Sequence, residues 1–298
     1  MVVTNQTDNT ISIVTVCDSH YLVLLAALVE SIKVNHHSNE SIDFYIVYDN
    51  IISKKRVLFE KSLLNSTIRI IWIKMADAIP SAIAVPSDNS SFPINIYMRI
   101  FIPYFIPAQL RKVLYLDVDM IVLEDISKLW VTDLKDYPVA AVLDMRVKDF
   151  KNAWGGIRNF KELGLDGEAP YFNTGLLLIN VDQWRALNVS DTFIECVREN
   201  KKFLNYPDQY GLNVVLSRNW LQLDRRWNLF SDTKEKIKPF VIHFIGRKPI
   251  YSTYYSNSEF KDIFFQYLNQ SGWKFSGPIG ETRRFWKKLK NILSKLLA

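Results

Sequence analysis

Asp117 and Asp119 stand two apart inside the apolar segment LYLDVDMIVL. The two carboxylates converge on one point only if the chain bends there, because side chains of a straight strand follow its pleat. At the C-terminal end of a strand, where α/β folds form their ligand sites, such a bend presents both acids to one hard cation and to a diphosphate. Oxygen ligands of this kind suit Mn2+ or Mg2+. The plain alternative is a pair of solvated acids in a turn, the usual fate of Asp-X-Asp. The apolar flanks, which would partly bury the acids, favour the metal.

A third ligand would favour Mn2+, and His243 in VIHFIGRKP is the candidate, because imidazole suits transition metals. The sequence holds four histidines; His20 follows the first apolar run, and His36 and His37 lie at the polar end of the first helical one. A hydrogen-bonded histidine at a strand edge is the other reading of His243. Gly246, Arg247 and Lys248 follow it directly, and a glycine turn followed by cations can clamp a diphosphate.

The elements that must position these groups alternate. ISIVTVC (residues 11–17) reads as a buried strand, YLVLLAALVESIKVN as a core helix, IDFYIVYD (42–49) as a strand, KKRVLFEKSLL as a helix and TIRIIWIK (67–74) as a strand. This alternation implies parallel strands joined by crossover helices, a nucleotide-binding half. A long loop rich in Ser, Pro and Asn spans residues 76–95, IYMRIFIPYFI follows as a helical stretch, and RKVLYLDVDMIVLED reads as one apolar strand ending in acids. PVAAVLD, YFNTGLLLIN and PFVIHFIG add strands, separated by helices around VSDTFIECVRENKKFL and PDQYGLNVVLSR, so a mixed sheet is expected. No composition break occurs before about residue 275, which implies one α/β catalytic domain over 1–275 and a short tail over 276–298.

Hydrophobic residues make up 48% of the 298, enough for a sizeable core and too many for a disordered chain. The polar start MVVTNQTDNT lacks the features of a secretory signal, and no apolar run approaches the roughly 20 residues that span a bilayer. A cytoplasmic protein is expected. Cys17 in a strand-like run and Cys196 in a helix-like one form neither a disulfide framework nor a zinc site. Residues Arg283–Ala298 contain six cations and no acid; without those six, basic and acidic residues balance at 31 each. In RRFWKKLKNILSKLLA the apolar residues recur at helical spacing opposite the cations, which reads as an amphipathic helix for a membrane surface, peripheral on the inner face of the cell membrane. A helix docked on protein is the alternative. With a neutral body and no nucleic-acid-binding signature, no nucleic-acid partner is expected.

Seven segments in order, VTVCDSHY, IYMRIFIP, LYLDVDMIVLEDISKLW, YFNTGLLLINVDQWR, YPDQYGLNVVL, RRWNLF and IHFIGRKP, resemble the retaining glycosyltransferases of family 8, which include bacterial lipooligosaccharide galactosyl- and glucosyltransferases and glycogenin. The resemblance covers nearly the whole body. It implies a GT-A fold and a Mn2+-dependent transfer of glucose or galactose from UDP-glucose or UDP-galactose to a glycan, glycolipid or glycoprotein acceptor, in an α linkage. Carried over by position, Asp18 would contact uracil and Val16 would meet it through its backbone, while His20 stands where relatives often have Asn. Arg99 would sit near the donor phosphates or sugar. Asp117 and Asp119, with Val118 between them, would meet the metal and the donor together with His243. Asp208 would fix sugar hydroxyls, Gln209 would face the anomeric carbon, and Asn173 and Asp144 would lie on the sugar and acceptor sides. Lys248 would hold the diphosphate beside Gly246. The segment GRK is one residue shorter than the family's pattern, so Arg247 shares or takes that role.

Without the resemblance, Pro-Asp-Gln is a good helix start and Asn173 a buried amide serving the backbone. Two other classes compete. A metal-dependent nucleotidyltransferase would show a Gly-rich phosphate loop or denser acids and histidines, and neither is present. A carbohydrate-binding protein weak in catalysis would not need to keep the acids, histidine, Asp-Gln pair and cations together.

Overall fold

The computed structural model describes residues 9–63, 66–81, 83–85, 92–282, 285, 286 and 289. Among the described residues ten strands run in chain order: β1 (Thr10–Asp18), β2 (Ser41–Asp49), β3 (Ile68–Lys74), β4 (Lys112–Leu116), β5 (Met120–Val122), β6 (Val139–Leu143), β7 (Phe172–Asn180), β8 (Leu221–Gln222), β9 (Leu229–Phe230) and β10 (Val241–His243). Seven form one sheet in the order β3-β2-β1-β4-β7-β6-β8, and the others form a second sheet, β5-β10-β9.

The first four strands of the large sheet are parallel, as the alternation of apolar runs predicts. β7 runs antiparallel to both β4 and β6, so the sheet is mixed. Apolar residues on both faces bury β1 almost throughout, which is what crossover helices on both sides of a sheet require. One such helix, Leu22–Asn35, is buried from Leu22 through Ile32 and has no polar face along that length. It packs on helix Ser258–Gln270, and Asn35 Nδ2 ties it to the Tyr267 hydroxyl (2.8 Å) and the Val122 carbonyl (3.0 Å).

The structure refines one helical stretch of the sequence reading and breaks one expected strand. IYMRIFIPYFI is a 3-10 helix over Ile94–Phe101 followed by one α turn, Ile102–Phe105. Pro103 in that stretch has no amide hydrogen to donate, which fits its place in the first turn of the α segment. LYLDVDMIVL is not one strand. It divides between the two sheets, β4 ending at Leu116 and β5 starting at Met120. The loop over residues 76–95 includes residue 82 and residues 86–91, which lie outside the described residues, as does most of the basic tail. Among the described residues, no helix is long and apolar enough to cross a membrane.

Candidate active site

The change of sheet is what brings the two aspartates together. Asp117 still belongs to the large sheet, its amide donating to the Gly175 carbonyl of β7 at 2.7 Å. Asp119 belongs to the small one, its carbonyl accepting from the Phe244 amide at 3.0 Å, next to the β5–β10 pair Met120–His243. His243 therefore arrives beside both acids, Nε2 lying 3.5 Å from Asp119 Oδ1 and 3.8 Å from Asp117 Oδ2. Candidate ligand atoms of the three residues fall within 4.8 Å of one another. Two carboxylate oxygens and one imidazole nitrogen suit a divalent metal such as Mn2+.

The ring orientation of His243 follows from its neighbours. Asn228 Nδ2 donates to Asn173 Oδ1 (2.9 Å), so Asn228 Oδ1 is the acceptor for His243 Nδ1 (2.9 Å). That leaves Nε2 as the ring nitrogen facing the acids, the position from which the histidine would serve as a ligand. Room for the ring comes from Gly175, where an added Cβ would stand 2.5 Å from His243 Cε1 and 2.9 Å from Asp117 Oδ2.

Two cations attend the acids. Arg99 is 5% exposed, and its guanidinium reaches Asp117 (2.9 Å), Asp208 (3.3 Å), the Thr174 carbonyl (2.5 Å) and the Ile96 carbonyl (3.1 Å). A buried cation is tolerable only when paired this fully. Lys248 pairs with Asp119 and donates to the Phe244 carbonyl at 2.6 Å. It reaches there because Gly246, at φ +68°, turns the chain back after β10 in a conformation that favours glycine. Burial raises the Asp117 carboxyl above the usual range against the pull of Arg99, and Asp119 adds to the rise. Burial also disfavours the charged form of Asp119, yet Lys248 and then His243 hold it well below that range.

A second group of polar side chains adjoins the first. Gln209 and Asp208 begin helix Pro207–Val215, with Pro207 in its first turn. Gln209 Nε2 donates to Asp144 Oδ2 (3.1 Å), and Gln209 Oε1 accepts from Asn173 Nδ2 (3.0 Å) and the Thr174 amide (3.3 Å). Asn173 Nδ2 also reaches Asp144 Oδ2 (3.0 Å), while Asp208 accepts from the Thr174 hydroxyl at 2.9 Å. The β6–β7 register shifts between Ala141 and Val142, a bulge that turns residues 174–176 away from β6 toward the end of β4. Asp144, Gln209, Asn173, Asn228 and His243 thus form one hydrogen-bonded chain.

Against this geometry, the sequence profile described as glycosyl transferase family 8 matches residues 12–249. The chain belongs to that family. Among family relatives it is 28% identical to general stress protein A of Bacillus subtilis, covering 91% of this chain and 97% of that one. It is 26% identical to the lipopolysaccharide 1,2-glucosyltransferase of Escherichia coli, covering 86% and 77%. Against glycosyltransferase GlyB of Streptococcus pneumoniae it is 28% identical but spans only 62% of that protein. The solved structure of galactosyltransferase LgtC, in complex with donor and acceptor sugar analogues, superposes at a TM-score of 0.71 with 23% identity, over 89% of this chain and 98% of that one. The likeness establishes the GT-A fold.

Within this family 8 chain, the remaining sequence-derived residues fall in two places. Asp18 ends β1, and its Oδ1 accepts from the amides of His20 (2.9 Å) and Tyr21 (3.1 Å); Val16 is buried two residues earlier. His20 Nε2 meets the Tyr251 hydroxyl at 3.0 Å, linking the β1 end to the loop after β10. Burial, then Tyr251, then Asp18 and Asp119 push the Tyr21 phenol far up. Val118 is partly exposed between the two aspartates. Arg247 is not gathered with Lys248: it turns to Glu281, 3.2 Å away.

Three participants escaped sequence reasoning. Gly175 carried a usable signal, since a lone glycine inside a strand marks a close approach. Tyr115, whose hydroxyl donates to Asp117 at 2.7 Å, and Asn228, the last residue of the 3-10 helix Arg225–Asn228, carried none, because nothing local in the sequence sets them apart from an ordinary strand tyrosine or helix-end asparagine.

Proposed function

We propose that the chain moves a hexose, glucose or galactose, from a UDP-sugar to a glycan acceptor with retention of the α configuration, using Mn2+. The observation that supports this most is the meeting of Asp117, Asp119 and His243 from two sheets, with Lys248 beside them and Asp208–Gln209 across from them. Breaking the bond from the anomeric carbon to the diphosphate leaves negative charge on the departing oxygens. Bound Mn2+ would supply positive charge there. Lys248 adds a second cation on the same side. Asp208, Asn173 and Asp144 offer acceptors and donors to sugar hydroxyls, and Asp18 with the Val16 backbone lies where β1 ends, a place for uracil.

Gln209 is a poor nucleophile, and its amide already bonds Asp144, Asn173 and the Thr174 amide. Same-face attack is therefore the favoured course: the acceptor oxygen bonds to the anomeric carbon as the diphosphate leaves, and a diphosphate oxygen takes the acceptor proton. A Gln209→Ala variant should still form retained product; trapping of a glycosylated Gln209 in the native chain would overturn this course. Mn2+-dependent hydrolysis across a panel of UDP-sugars tests the whole reading. If none is bound or cleaved with Mn2+, it fails.

Acceptors in a lipopolysaccharide, other surface glycan or glycoprotein fit the family's membership. The basic tail would hold the enzyme on an anionic leaflet, each cation contributing about 1 kcal/mol near the surface. Phe285 and Trp286, the exposed aromatic pair of the described part, would enter the headgroups. Flotation with anionic and neutral vesicles, with and without residues 283–298, checks this.

A further inference from the structure

Each of the two acidic ligands already has its own counter-ion in the protein: Arg99 on Asp117 and Lys248 on Asp119. Among the described residues, the charged groups paired around this point are three carboxylates, Asp117, Asp119 and Asp208, and these two cations, with His243 beside the acids. The two cations are not held alike. Arg99 is fixed by Ile96, Thr174, Asp117 and Asp208 and is nearly inaccessible. Lys248 has Asp119 and one carbonyl, on a long flexible stem just beyond the Gly246 turn, and its side chain is 17% exposed. Of the two, Lys248 has fewer bonds to give up, and the buried Asp119 charge it leaves is one that a divalent metal would take over.

We infer that Lys248 is an internal counter-ion that couples divalent-metal binding to diphosphate binding. It rests on the nucleotide-and-metal reading above. Without a diphosphate, the ammonium neutralises Asp119 and repels a second cation drawn to the same carboxylate. A nucleoside diphosphate offers the ammonium a new anionic partner, Asp119 is released toward the metal, and the two ligands tighten each other. Linkage makes the factor the same in both directions. The inference differs from a simple clamp. A clamp residue only holds the diphosphate, and removing it would leave affinity for the bare metal unchanged.

The test measures free Mn2+ by electron paramagnetic resonance in titrations of the whole chain, with and without UDP, for the native protein, Lys248→Met and Lys248→Arg. Native protein should bind Mn2+ about tenfold or more tightly when UDP is present. Lys248→Met should bind Mn2+ alone about tenfold more tightly than native and gain little from UDP, while Lys248→Arg should keep the native pattern. Lys248→Gln, which keeps a donor for the Phe244 carbonyl, replaces Lys248→Met should that variant not fold. Bare-metal affinity in the uncharged variant equal to or weaker than native overturns the inference while leaving the functional reading intact. Native protein that binds no Mn2+ even with UDP overturns that reading as well.

Discussion

The backbone of Gly175 lies against the imidazole of His243, so close that any Cβ there would stand 2.5 Å from Cε1. Gly175 also accepts the Asp117 amide, at 2.7 Å. One residue of β7 therefore fixes where the large sheet ends at Asp117 and how near the small sheet can bring its histidine. The spacing of the three candidate ligands is a property of this contact as much as of the ligands themselves.

Gly175→Ala should push the His243 ring away from Asp117 and Asp119. Ångström-scale displacement of a catalytic group costs about 10²-fold in rate. Overpacking of a buried site costs about 1–3 kcal/mol of stability. Turnover of a UDP-sugar and urea unfolding, measured on the same preparation, should show activity lost far beyond what partial unfolding explains. A variant with native kcat/KM would mean that the ring does not need its present position.

How much of this was legible in the sequence depends on the distance over which each feature is determined. The β1–β3 half was readable because apolar runs and helical spacing are local, and β1, β2 and β3 fall within a residue or two of the predicted limits. The candidate trio Asp117, Asp119 and His243, which the structure gathers, was expected from residue type together with the apolar flanks, the cations after His243 and the family resemblance. The break of LYLDVDMIVL into β4 and β5 was not, since its cause lies in the pairing of Met120 with His243, more than a hundred positions away. Arg247 and Lys248 are neighbours with the same charge, and what separates their directions is distant in sequence: Arg247 turns to Glu281 and Lys248 to Asp119.

Asn228 should control metal affinity without touching metal. Its Oδ1 holds Nδ1 of His243 and its Nδ2 holds Asn173. Partners of this kind cost about 10–100-fold in affinity when lost. Asn228→Leu should weaken Mn2+ binding by about that factor while leaving the far-UV circular dichroism spectrum unchanged. Native affinity in this variant would show that strand pairing alone orients the ring.

The two adjacent cations should behave differently toward the nucleotide. Lys248→Ala removes the ammonium beside Asp119, and loss of one well-placed charge at a departing oxyanion costs about 10²–10³-fold in kcat. Arg247→Ala removes a partner of Glu281 and should change kcat by less than about threefold, as expected for a partly exposed ion pair worth about 1 kcal/mol or less. Steady-state kinetics of the two single variants decide which residue fills the place left ambiguous by the shortened GRK segment. The reverse ranking would assign it to Arg247.

Asp125 should make the fold sensitive to acid at a point away from the candidate active site. Its carboxylate is 7% exposed and accepts from the Ser38 hydroxyl (2.6 Å) and amide (3.1 Å) and the His37 amide (2.9 Å), with the Ser127 amide at 3.0 Å and His36 Nδ1 at 3.1 Å. It thereby ties the end of helix Leu22–Asn35 to the segment after β5. Burial disfavours the charged form, but hydrogen bonds from Ser38, Ser127 and His37 outweigh it and hold the carboxyl well below the usual range. A depressed folded value means the stabilisation is complete above the unfolded pKa, about 3.9, and is lost as pH falls through the folded one. Asp125→Asn should cost about 1–3 kcal/mol near neutral pH, because the amide must turn a donor toward donors. It should also flatten the decline in stability below about pH 4. Urea midpoints of both proteins from pH 7 down to pH 3 provide the check: curves that stay parallel throughout would remove Asp125 from the acid response.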